Sequence, residues 1–277
     1  KERSNWKGGK GTMSERASRR APQRGDERSA AVAPAEGGAA PSFVTAFVAM
    51  FAAVLKTLAK TVFVVDLDSA EATSRAGIFL LAFTVAHALG NLSFFAGADA
   101  FNKYGHKLTS MPGFAFVEYY LLVGGAVHVL ASTYRTMKFK VPALQRSKKP
   151  DFWGALRLAV SGTILAVFVV THLLDFRFAK SDSDIVSVDG VEVHNIYALQ
   201  RKVFGESKHV VWYVFAVAML GVHLWYGWPK AVAKFDPKSM DRPTKRAVTS
   251  MGRAAIFPVV GIFSAVVLYT AYTNPKY

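Results

Sequence analysis

Apolar residues in this 277-residue chain are gathered into long runs rather than dispersed at every third or fourth position. Five runs reach the roughly 20 residues that a helix needs to cross a hydrocarbon layer: 76–97, 114–134, 154–176, 209–229 and 253–273. Lipid offers no partner to a backbone N–H or C=O, so a spanning segment must be a helix or a strand of a closed barrel. Barrel strands alternate apolar and polar positions over about 10 residues. Segments such as AGIFLLAFTVAHALG and TILAVFVVTHLL do not alternate. The pattern predicts an all-α integral membrane protein with five transmembrane helices.

A sixth apolar stretch, from Phe43 to Val65, is interrupted by Lys56 and Lys60 and followed by Asp66 and Asp68. Residues 43–70 are therefore expected to form a helix lying on the surface or docking on a partner, with a sixth span as the lesser alternative. Residues 1–42 are rich in Arg, Ala, Ser, Gly and Pro and have no hydrophobic period, as in an arm that is disordered alone or orders on a partner. The membrane domain is expected over 71–277.

Charge fixes the topology. Lys and Arg exceed Asp and Glu by 34 to 19, which in a chain 52% hydrophobic points to basic loops on a membrane protein rather than to a nucleic-acid binder. Nine basic residues lie in 1–42, seven in 135–157 and seven in 230–253, against two in 98–113. Residues 175–208 carry five, offset by six acids. Alternate loops thus belong to opposite faces, and the N-terminus is expected on the basic side, cytoplasm or mitochondrial matrix. The Arg-rich arm favours the mitochondrial inner membrane over a bacterial cytoplasmic one, although its five acids do not suit a presequence. With no cysteine in the chain, thiolate-held zinc and iron–sulfur clusters are excluded from it.

Four of the seven histidines, His87, His128, His172 and His223, lie inside four consecutive spans, one in each. An ionisable side chain at membrane depth marks function by default. A lone intramembrane histidine can serve as a hydrogen-bonding group between helices; four in register are harder to explain that way. Counting from outer helix ends near 97, 114, 177 and 209, His128 and His223 each lie 14 residues inward, His87 ten and His172 five. One pair shares a level nearer the basic face, and the other lies further out. Two levels of paired imidazoles in a four-helix bundle are what two bis-histidine haems require. Gly90, Gly124, Gly125, Gly221 and Gly227 near these residues leave room for a porphyrin.

Other positions weigh less. His106, His194 and His209 are expected on solvated surface, with His106 also a candidate for a propionate or quinone headgroup. Trp212, Tyr213, Trp225, Tyr226 and Trp228 read as interface-belt anchors. Arg135, Arg157, Arg177 and Lys230 are candidate propionate partners. Glu118, the carboxylate well inside a span, either hydrogen-bonds near a helix end or takes up protons at a quinone site. Ser74 and Arg75 are quinone candidates by position alone.

AHALGNLSFFAGADAFNKYGHKL at 86–108 resembles the first-helix signature of the two-haem (type B) cytochrome b membrane-anchor subunit of succinate dehydrogenase and fumarate reductase, complex II. GGAVHVLASTY (124–134), VVTHLLDFRF (169–178) and WYVFAVAMLGVHLWYG (212–227) follow in the family's order, so the likeness covers about 75–273. The resemblance implies two haems b, one held by His87 with His172 and the other, nearer the catalytic subunits, by His128 with His223. It further implies a flavoprotein carrying FAD, an iron–sulfur partner, and ubiquinone or menaquinone as electron acceptor. Two positions depart from the family. Tyr226 stands where many members have a second His after the last ligand. Gly221 stands where some menaquinol-linked fumarate reductases have a Glu, which tilts the expectation towards succinate oxidation. Two other classes remain open: the b-type subunit of a different quinone-linked dehydrogenase, and a haem-free transporter relaying protons through its histidines.

Overall fold

A computed structural model of the chain describes residues 70–148, 151–179, 184–234 and 241–274. The expected arm 1–42 and, apart from Ala70, the expected helix 43–70 lie outside the described residues. Five helices are long and apolar enough to cross a membrane, and they coincide with the five runs. α1 spans Ala70–Asn91 and runs on through a 3-10 turn, Leu92–Ala96. A short helix α2, Ala98–Thr109, precedes α3, Phe114–Arg135. A π turn, Thr136–Lys140, leads to α4, Val141–Gln145. α5, Phe152–His172, also ends in a π turn, Leu173–Arg177. Strands β1, Ile185–Val188, and β2, Val191–His194, are followed by α6, Ile196–Phe204, α7, Ser207–Val232, and α8, Arg242–Tyr272. The chain is therefore an all-α integral membrane protein in its spans.

Local chemistry sets the helix starts. The Asp151 carboxylate accepts from the Gly154 N–H at 2.8 Å, and that of Asp241 from the Thr244 N–H at 2.8 Å. Each satisfies a donor that the first turn leaves without an intrahelical partner. The second cap explains why α8 begins well before the apolar run at 253: Asp241 and Pro243 start the helix in the basic loop.

The membrane helices pack as a ring with a fifth member outside it. α1 packs on α3, α3 on α5, α5 on α7 and α7 on α1, while α8 lies along α7 and α1. α1 and α5 are thus diagonal across the ring, as are α3 and α7. Buried apolar side chains gather in two clusters: Ile78, Trp228, Val232 and Val248 towards the basic loops, and Leu199, Val203, Phe204, Tyr213 and Val267 at the opposite end. Both involve α7 and α8.

A cap of α2, the hairpin and α6 covers that opposite end. Sequence patterning missed the hairpin, which joins β1 to β2 antiparallel with Ile185 opposite His194 and Val188 opposite Val191. Asp189 (φ 50°) and Gly190 (φ 79°) form its two-residue turn, the Asp-Gly signal that tight hairpins favour. Asn102, 2% exposed, ties the cap together. Its Nδ2 donates to Asn195 Oδ1 at 3.2 Å, and its Oδ1 accepts from the Tyr197 N–H at 2.9 Å.

Candidate functional site

The four span histidines meet in two pairs. His87 of α1 and His172 of α5 have ring centres 5.9 Å apart, with planes at 75°. His128 of α3 and His223 of α7 have ring centres 6.1 Å apart, with planes at 76°. Each pair joins diagonal helices, so the rings converge on the interior of the ring. The His87–His172 pair is at the capped end and the His128–His223 pair at the basic end, as the depth count predicts.

Each ring is held differently. His128 Nδ1 donates to the Thr73 carbonyl at 3.0 Å. His223 Nδ1 lies 3.1 Å from Ser161 Oγ, whose proton goes to the Arg157 carbonyl at 2.8 Å, so the serine oxygen accepts from the ring. Both imidazoles therefore carry their proton on Nδ1 and keep an electron pair on Nε2, since the hydrogen bond at one nitrogen sets the state of the other. At the capped end His172 Nδ1 lies 3.4 Å from the Tyr213 hydroxyl, which donates to Asp175 Oδ2 at 2.9 Å. His87 Nε2 sits 3.5 Å from Asn91 Nδ2, which donates to the His87 carbonyl at 2.8 Å.

Packing reinforces these bonds. The capped-end rings are wedged among aromatics: His87 stacks on Phe83 and touches Phe263, and His172 lies against Phe168 and Phe176. The basic-end rings lie instead against glycine. A Cβ at Gly77 would come within 3.0 Å of His128 Cε1, and one at Gly162 within 3.2 Å of His223 Cε1. These are not the glycines singled out in the sequence. Gly90 lies against Tyr104, Gly124 near Phe79, Gly221 near Val260 and Gly227 near Leu158, while a side chain at Gly125 would meet nothing. The glycines that matter were legible only across helices, because each faces a histidine of a neighbouring span.

The remaining candidates scatter. Arg75 pairs with Glu71 at 2.6 Å, one turn away. His106 is half-buried on α2, with Nε2 3.5 Å from Ser110 Oγ. Glu118 and Arg177 form an ion pair at 3.0 Å between α3 and the end of α5. The Arg135 guanidinium lies over the Phe139 ring at 5.4 Å. Arg157 lies 3.9 Å over the Tyr226 ring, and its Nε is buried without a hydrogen-bond partner. Tyr213 and Trp228, expected at the membrane interface, are only 4% and 5% exposed. Burial follows from what they touch: Tyr213 serves His172, and the Trp228 Nε1–H donates to the Val248 carbonyl. His209, expected on solvated surface, lies 3.6 Å from Asp175 and is three-quarters buried.

The residues fit a haem at each level. Metal–imidazole bonds of about 2 Å on two opposite sides, with about 1 Å from nitrogen to ring centre, put the ring centres about 6 Å apart. Both pairs match that spacing. Among the described residues no group of three or more His, Asp or Glu is placed to hold a metal ion. Beside the basic-end pair, Arg157 Nε and Thr73 Oγ1 are buried without partners, and the guanidinium is suited to a carboxylate. Two shallow hollows of about 610 and 290 Å3 open at the capped ends of α5 and α7, against Trp212. Neither is lined by any of the four paired histidines, so the pairs rather than the surface relief define the site.

Fold and site together define an α-helical membrane protein whose interior carries two diagonal histidine pairs. Comparison with protein-family models, with curated proteins and with solved structures gave no significant match.

Proposed function

We propose that the chain is the cytochrome b membrane anchor of a succinate:quinone oxidoreductase, holding two bis-histidine haems b. The observation that carries the haem reading is the pairing of His87 with His172 and His128 with His223 at axial-ligand spacing on diagonal helices. The choice of complex rests on the resemblance of the four histidine segments and their order. Haem held by these histidines would supply one-electron transfer.

The chain's own residues supply the rest. Thr73 and Ser161 orient the basic-end rings and fix their proton on Nδ1. The phenylalanines around His87 and His172 would keep water from the capped-end pair, and Arg157, whose Nε is buried without a hydrogen-bond partner, would be the cation for a propionate at the basic end. Succinate chemistry falls to a flavoprotein with FAD and an iron–sulfur partner, which the basic face would receive. That face is assigned to the matrix or cytoplasm, and the membrane to the mitochondrial inner membrane ahead of a bacterial one. A quinone is the electron acceptor.

The test is purification in mild detergent, with a dithionite-reduced spectrum and a subunit inventory on one sample. Two b-type haems per chain and a co-purifying flavoprotein and iron–sulfur protein are expected; a sample without b-type absorption sinks the reading. The pairing has its own check. His87→Ala or His172→Ala should halve the haem content by removing the capped-end group, and His128→Ala or His223→Ala the other. Equal loss from a mismatched pair, such as His87 with His223, would show the assignment wrong.

A further inference from the structure

The two histidine pairs are held by oxygens of different character. At the basic end both acceptors are neutral: the Thr73 carbonyl for His128 and the Ser161 hydroxyl for His223. At the capped end the acceptor for His172 is the Tyr213 hydroxyl, which is itself bonded to a carboxylate, Asp175 Oδ2, at 2.9 Å. Tyr213 is packed by Phe168, Phe176 and Phe204, with ring centres 4.9 to 6.1 Å away. The ring is thereby held with its hydroxyl between Asp175 and His172. The other carboxylate oxygen of Asp175 lies 3.6 Å from His209 Nε2, and the Asp175 side chain is 19% exposed. α6 closes the arrangement from outside, with Leu199, Val203 and Phe204 clustered around Tyr213.

We propose that Tyr213 and Asp175 are positioning residues that hold His172 with its Nδ1 proton donated to the tyrosine oxygen, making the capped-end site electronically unlike the basic-end one. A ligand histidine whose second nitrogen donates towards a carboxylate is a stronger base towards the metal. Here the carboxylate acts through one hydroxyl. Tyr213 gives its own proton to Asp175, so its oxygen is a better acceptor for the ring than a hydroxyl with no anionic partner. The redox consequence rests on the haem reading of the preceding subsection; the proton position on His172 does not.

Two measurements separate them. In the first, 15N spectra of histidine-labelled, haem-free protein report which ring nitrogen of His172 is protonated, since iron on Nε2 would by itself hold the proton on Nδ1. Wild type is expected as the Nδ1–H form, and Tyr213→Phe, which keeps the ring packing, is expected to populate the Nε2–H form. Asp175→Asn should do the same to a smaller extent. An unchanged His172 spectrum in both variants overturns the proposal. In the second, optical redox titration of the intact complex follows both haems. Loss of the carboxylate's influence makes His172 a weaker base, destabilises ferric iron and moves the capped-end midpoint upwards. About a tenfold change in that oxidation equilibrium is expected, or about 59 mV for a one-electron couple, with the basic-end midpoint unmoved. Two midpoints that shift together, or not at all, overturn it. If Tyr213→Phe fails to assemble, Asp175→Asn decides alone. A wild-type protein without haem would refute the proposed function, while the nitrogen spectra would still decide this point.

Discussion

His223 lies between two consecutive residues of α5 that do opposite things: Ser161 offers an oxygen to its Nδ1, and Gly162 offers no side chain at all. Both are needed. The hydrogen bond turns the ring, and the missing Cβ lets the helix come close enough for that bond to form. A Cβ at 162 would sit 3.2 Å from the ring, inside ordinary contact distance, and a branched side chain would add atoms beyond it. Gly162→Val is therefore expected to push His223 off its position and, on the proposed haem reading, to remove about half the reduced b-type absorption. Gly125→Ala, where a Cβ meets nothing, should leave the spectrum unchanged. Equal spectra for the two variants would mean that the close approach at 162 has no role. Span histidines stand out in a sequence because they are rare there; Gly162 does not, since glycine is common in membrane helices.

At the scale of elements, the cap over the His87–His172 end is the part that patterning missed. Its strands are four residues each, too short for period-two alternation to rise above the surrounding loop. Only the Asp189–Gly190 turn signalled them. An exposed ion pair fastens the turn to α2, joining Lys103 to Asp189. The hydrogen bond, and then the opposite charge, hold the Asp189 carboxyl below the usual carboxylate range and the Lys103 ammonium above the usual lysine value. A lowered carboxyl contributes stability that is present above its unfolded pKa and lost as pH falls through the folded one. A raised ammonium contributes below its unfolded pKa and loses it as pH rises through the folded one. Hydrogen exchange of the hairpin amides, corrected for intrinsic rate, should thus show a plateau of protection that falls away at both the acid and the alkaline limit. Asp189→Asn should remove both limbs; persistence of either in that variant would assign it to another group.

For the whole molecule, an odd number of crossings and the alternation of basic loops require the segment after α3 and the hairpin after α5 to lie on opposite sides of the membrane. The absence of cysteine makes that directly measurable. Lys148→Cys and Glu192→Cys each introduce the only thiol of the chain, and a membrane-impermeant maleimide applied to sealed vesicles should label one and spare the other. Labelling of both from the same side would require an even number of spans between them. The basic side chains that set this orientation also gather at one end of the bundle, where Arg135 follows His128 on α3, Lys230 follows His223 on α7 and Arg157 lies near the start of α5. Charge thus links orientation to site.

The sequence alone determined the five spans, their alternation across the membrane and the two levels of histidine. Those follow from properties written in order along the chain: twenty-residue apolar runs, loop charge, and depth counted at a fixed rise per residue. Only the tertiary structure decided which oxygen holds each ring, that Gly77 and Gly162 are the glycines in contact, and that Tyr213 faces inward rather than sitting at the interface. These depend on the rotation of each helix about its axis. Its spans are apolar on every side, so no polar face in the sequence records that rotation. It is set by packing against neighbours: α7 turns Tyr213 towards His172 because Phe168, Phe176 and Phe204 enclose it there.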